Sequence, residues 1–160
     1  AMTQNNLGNA FKMLAEVESK AENCKKAIND YEEALKVYTF ERFPTQYATI
    51  QNNLGNTYST LAEVEAKAEN CKKAIEAFEE TLKVYTFEHF PVQYATTQSN
   101  LGIAYSMLAE VEAKTENCKN AFRVYAEAQK VFTEKEFPEM YLRVKCNLKR
   151  TLTFCEGNKL

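Results

Sequence analysis

The chain has 160 residues, a formal charge of −2 and 45% hydrophobic residues, which suits one domain or one short repeat array. Near-neutral charge argues against a protein built to bind a phosphate backbone, and no apolar run approaches the ~18 residues of a membrane span. One histidine, His89, and no tryptophan leave little imidazole chemistry to assemble.

Self-similarity organises the rest. QNNLGNAFKMLAEVESKAENCKKAINDYEEALKVYTFERFP begins at Gln4, a close copy begins at Gln51, and a third begins at Gln98, so the period is 47 residues. Pro44, Pro91 and Pro138 keep this phase, as do Gly8, Gly55 and Gly102, and Cys24, Cys71 and Cys118. A fourth, degenerate start follows, in which Tyr141 matches Tyr47 and Tyr94, and Leu148 matches Leu101. The expected organisation is a single repeat domain over residues 1–160, with repeats 1–46, 47–93 and 94–140 and a terminal helix 141–156. A first copy that begins in mid-phase reads as a piece of a longer array.

Each copy predicts two helices. In the second, Pro44 suits a first turn, and apolar residues follow at Tyr47, Leu54, Tyr58, Leu61, Ala62 and Val64 or Glu65, at helical spacing. Gly55 lies inside this helix, where glycine costs roughly 1 kcal/mol, so its return at every period implies close helix–helix approach. Asn70 is the expected N-cap of the second helix, which should bury Cys71, Ala74, Ile75, Phe78, Leu82 and Tyr85. Strict alternation and hairpin turns are missing, so strands are not expected. In the terminal helix Lys149 takes the glycine's place, so no tightly packed helix is expected after it.

Leu54-Gly55, Tyr58, Ala74, Phe78 and Thr81 together resemble the tetratricopeptide repeat, whose usual unit is about 34 residues. Seven extra residues between Tyr58 and Ala74, close to two helical turns, keep the same face inward. The run from Pro44 through Tyr47-Ala48 to Asn53-Leu54-Gly55 resembles the longer 42–47-residue units of kinesin light chains and prokaryotic relatives. The family's large aromatic before the leucine is here Gln4, Gln51 and Gln98. The resemblance implies an all-α, right-handed solenoid of three helix-turn-helix repeats plus a terminal helix, about seven helices, with the first helix of each pair lining a concave groove.

That groove supplies the candidate residues. The resemblance places Asn6, Asn53, Asn100 and Asn147 where family members bond the backbone of an extended peptide. An amide both donates and accepts, so it matches a peptide group of any sequence. Asn5, Asn9, Thr49, Asn52, Asn56 and Ser99 belong to the same polar first-helix faces. The plain alternative is a set of solvated polar residues. Arg143 and Arg150 fall in phase with Thr49 and Asn56, and five basic residues against two glutamates lie between Glu139 and Leu160. They would anchor an acidic part of a ligand, or else solvate the end of the array. The basic partners of the family's carboxylate clamp are Asn5 and Asn52 here.

The five cysteines show no metal-ligand spacing and read as buried or unpaired thiols, which favours a reducing cytoplasm. Cys24, Cys71 and Cys118 are expected just after their N-caps on the buried face, with Cys146 and Cys155 pointing differently from one helix. Arg42, His89 and Glu136 share one phase, so that position should be exposed. Glu16, Glu18 and their copies lie among lysines and read as ion-pair partners. The functional expectation is a non-catalytic module that binds a protein or peptide partner, without cofactor or metal and away from nucleic acid and membranes. The alternative is a structural spacer that self-associates head to tail through exposed repeat ends.

Overall fold

Proline decides where each first helix after the opening one begins. A computed structural model describes residues 1–15 and 19–157 and contains seven α-helices and no strand among them. They are α1 (Met2–Ala15), α2 (Lys20–Leu35), α3 (Pro44–Ala62), α4 (Lys67–Leu82), α5 (Pro91–Ala109), α6 (Lys114–Gln129) and α7 (Pro138–Glu156). Pro44, Pro91 and Pro138 each occupy the first turn, where the missing N–H leaves no hydrogen bond unmade. The terminal helix therefore starts at Pro138 rather than at 141.

The turns before these prolines are held by aromatic rings. Phe40 and Tyr47 meet edge to face at 5.9 Å, and Phe87 and Tyr94 do so at 6.0 Å. The tyrosine hydroxyls reach on to the neighbouring helix: Tyr47 donates to Glu80 and Tyr94 to Glu127, both at 2.9 Å.

The turns inside the pairs work differently, and here the expected cap is corrected. α4 begins at Lys67, after Ala66 in the left-handed conformation at φ 44°. Ala113 before α6 and Ser19 before α2 do the same. Asn70 is therefore one turn inside α4, buried, with its Nδ2 donating to the Glu65 carbonyl at 2.9 Å. Asn117 makes the equivalent bond to Glu112 at 2.8 Å. The asparagine fastens the turn from within the helix instead of capping it. Val64 is consequently exposed in the turn rather than part of the apolar face.

Packing follows the glycines. A Cβ at Gly8 would lie 2.7 Å from the Tyr31 ring, one at Gly55 2.7 Å from Phe78, and one at Gly102 2.5 Å from Tyr125. Tyr31, Phe78 and Tyr125 are fully enclosed, so each pair is locked by one buried ring lying on bare backbone. Cys71, Ala74, Ile75, Phe78 and Tyr85 are buried as expected, while Leu82 is half-buried.

The helices fall into two compact units. Unit 1, Ala1–Tyr85, holds α1 to α4, with α2 packed on both α1 and α3 and α4 packed on α3. Lys20 pairs with Glu63 and Lys25 with Glu65, each at 2.8 Å, so these glutamates reach across to α2. Glu16 and Glu18 lie outside the described residues. Unit 2, from Thr86 onward, holds α5 to α7, with α6 packed on α5 and α7 packed on α6.

The cysteines bring a second correction. Cys24 and Cys71 are buried thiols and Cys146 is an exposed one, but Cys118 and Cys155 form a disulfide with Cα atoms 6.1 Å apart. Five thiols therefore no longer argue for a reducing compartment. His89 is exposed as expected.

Candidate functional site

The first-helix residues of unit 1 form a connected polar face. On α3, Thr49, Asn52, Asn53 and Asn56 repeat at three- and four-residue spacing and share one side of the helix. Asn9 of α1 lies against them. Its Oδ1 accepts from the Tyr31 hydroxyl at 2.7 Å and from Asn53 Nδ2 at 3.0 Å. These two bonds fill the lone pairs of Asn9 and fix its amide, leaving its NH2 as the group it can offer. Burial holds the Tyr31 phenol above its ordinary pKa of 10.0, with Thr57 as a hydrogen-bonding neighbour that partly opposes the shift. Asn53 is thus tied to α1 through its amide nitrogen.

Two amides one period apart are placed otherwise. Asn5 Oδ1 and Asn52 Oδ1 are buried with no hydrogen-bond partner, and the Ser99 hydroxyl, next in the same phase, shares that condition. A buried acceptor without a donor costs roughly 1–3 kcal/mol. Asn5 opens onto a cavity of about 370 Å³, whose wall also includes Asn6, Thr49, Met2, Tyr38 and Ile50. Apolar faces and amides mix there without a charged side chain. The Thr49 hydroxyl donates to the Thr45 carbonyl at 2.9 Å and lies 2.7 Å from the Tyr85 hydroxyl.

Tyr38 and Ile50 were not singled out by sequence reasoning. Tyr38 sits after the end of α2 and shares its phase with Tyr85 and Phe132. That recurrence of an aromatic just beyond each second helix was the available signal.

In unit 2, Ser99 is fully enclosed and Asn100 half-buried on α5. Arg143, Asn147 and Arg150 follow one another at four and three residues along α7, the arginines exposed and the asparagine half-buried. The described residues contain no group of three or more His, Cys, Asp or Glu placed to hold a metal, and no helix long and apolar enough to cross a membrane.

No curated protein and no solved structure matches the chain significantly. Residues 53–110, most of α3 with all of α4 and α5, match the family model of the tetratricopeptide repeat. The glycine–aromatic lock inside that stretch recurs at Gly8–Tyr31 before it and Gly102–Tyr125 across its edge. Over residues 53–110 the 47-residue helix pair is a tetratricopeptide repeat, and the copies on either side of it carry the same lock.

Proposed function

We propose that the chain is a non-catalytic module that holds an extended peptide segment of a partner protein against the first-helix face of unit 1. Tetratricopeptide repeats serve protein–protein interaction in general, and the peptide mode is the finer reading. The observation that carries it is the pair of buried, partnerless acceptors Asn5 Oδ1 and Asn52 Oδ1, one period apart. Both residues are only half-buried, so a side-chain rotation brings each acceptor to the surface, where a backbone N–H of an extended peptide supplies the donor it lacks. The uncharged cavity beside Asn5 takes an apolar side chain of that peptide. Within unit 2, taken by itself, Arg143, Asn147 and Arg150 suit an acidic segment of a partner.

The experiment separates binding from folding. Asn52→Ala removes an unsatisfied buried acceptor, so urea unfolding should show stability unchanged or slightly raised, while signal on a random-sequence peptide array falls. Asn53→Ala removes the bond to Asn9 and should lower stability by about 1 kcal/mol. Array binding that survives Asn5→Ala and Asn52→Ala together rejects the peptide mode. Loss of signal with added salt identifies the acidic contribution.

A second reading has its own observation. Leu7 and Leu14 of α1 are exposed, whereas Leu54 and Leu61, one period on, are buried in unit 1. An apolar face of this kind suits self-association, and light scattering against concentration measures it.

A further inference from the structure

Position 155 departs from the period. Leu14, Leu61 and Leu108 stand at 47-residue intervals, and the next place belongs to Cys155. In unit 1, Leu61 packs with Cys24 and Ala15 in one buried cluster. In unit 2, Cys118, which shares the phase of Cys24, meets a cysteine where the pattern has leucine, and the two sulfurs are joined. A contact that is apolar in unit 1 has become covalent at the last helix.

The surroundings make that bond matter. α7 buries Val144 and Thr151, against eight buried residues on α3. Beyond Thr151, whose hydroxyl lies 2.7 Å from that of Ser106, its last turn is held by the disulfide and by Lys114 stacked 4.5 Å over the Phe154 ring. Cys155 is partly exposed, Cys118 is buried, and both belong to the same end of the α6–α7 pair.

We propose that Cys118–Cys155 is a reversible thiol–disulfide site, a substrate for dithiol reductants, whose opening releases the last turns of α7 and uncovers the N-terminal end of α6. A reductant thiolate attacks the more accessible Cys155 sulfur. A mixed disulfide forms, the Cys118–Cys155 bond breaks, and its electron pair leaves on the Cys118 sulfur, which takes a proton. The reductant's second thiolate then attacks its own sulfur in the mixed disulfide and releases Cys155, which is protonated in turn. Two electrons and two protons pass to the protein, and the reductant leaves as a disulfide. A disulfide oxidant such as oxidised glutathione reverses the sequence. Cys146 lies nine residues before Cys155, on the opposite side of α7, and does not compete.

The full chain is incubated with oxidised glutathione or with excess dithiothreitol, both without denaturant. Non-reducing peptide mapping reads the bond, and amide hydrogen exchange reads residues 151–156. The oxidised chain should carry the Cys118–Cys155 link. Dithiothreitol should open it and speed exchange in the last turns of α7 about 100-fold, leaving α3 and α4 unchanged. Cys155→Leu, which restores the pattern's leucine, should keep α7 folded and be indifferent to reductant. The proposal is overturned by a bond that never forms, by one that resists dithiothreitol in the native state, or by one that opens without changing exchange at residues 151–156. A reductant response in Cys155→Leu equal to that of the parent chain overturns it as well.

Discussion

At the scale of residues, the deciding contact is a ring against bare backbone. Phe78 is fully buried and leaves no room at Gly55, where a methyl would approach to 2.7 Å. Gly55→Ala gains about 1 kcal/mol of helix propensity but overpacks a rigid ring, at a cost of 1–3 kcal/mol or more. We expect a net loss of about 1–2 kcal/mol by urea unfolding, and partial recovery when Phe78→Leu is added. Equal stability of Gly55→Ala and the parent chain would show that α3 and α4 are not held this way. This contact was legible in the sequence, because a costly residue kept at fixed phase inside a helix needs a packing reason. The disulfide was legible too but went unread. Cys155 stands in the phase of Leu61, and only tracing the period to the last helix turn pairs it with Cys118.

Elements begin and end for two different reasons, and only one of them was readable. Proline at the first helical position fixes its own φ, so the starts of α3 and α5 followed from the sequence, and α7, expected from 141, begins at Pro138 for the same reason. The starts of α2, α4 and α6 did not, because Ser19, Ala66 and Ala113 adopt a left-handed conformation that sequence rules reserve for glycine and asparagine. Two kinds of contact flank Ala66: the local bond from Asn70 to Glu65 and the tertiary pairing of Glu63 and Glu65 with α2. Removing the Cβ removes the strain. Ala66→Gly should therefore be neutral to stabilising by up to about 1 kcal/mol, the left-handed penalty of 1–2 kcal/mol being offset in part by unfolded-state entropy. Thermal melts of Ala66→Gly and Ala113→Gly measure it, and a clear loss in both would place the turns in another conformation. The polar first-helix face was legible as a set of residues. The division of labour within it was not, since hydrogen bonding rather than spacing separates Asn53 from Asn52.

For the whole molecule, titration sets the window of stability. Hydrogen bonds from Lys83 to Glu80 and from Lys130 to Glu127 hold both carboxyls below their ordinary 4.5. A depressed carboxyl contributes stability above 4.5 that disappears as pH falls through its folded value. The tyrosines act at the other end. Burial pushes Tyr58 up to about 12 and raises Tyr125 and Tyr31 as well. A raised phenol contributes in full below its ordinary 10.0 and is lost as pH rises through the folded value. Urea midpoints should therefore hold level between these limits and fall on both sides. On the alkaline side, tyrosinate absorbance and loss of helix should rise together. Phenols that ionise at 10.0 with helix content unchanged would contradict this burial. The same rings have an optical consequence. With no tryptophan in the chain, intrinsic fluorescence belongs to tyrosine, and Tyr31 and Tyr125 are enclosed emitters in separate helix pairs. Because nine tyrosines emit together, the difference between the parent chain and Tyr31→Phe, or between the parent and Tyr125→Phe, isolates the light of one enclosed ring, so the two layers' melting can be compared without a foreign label.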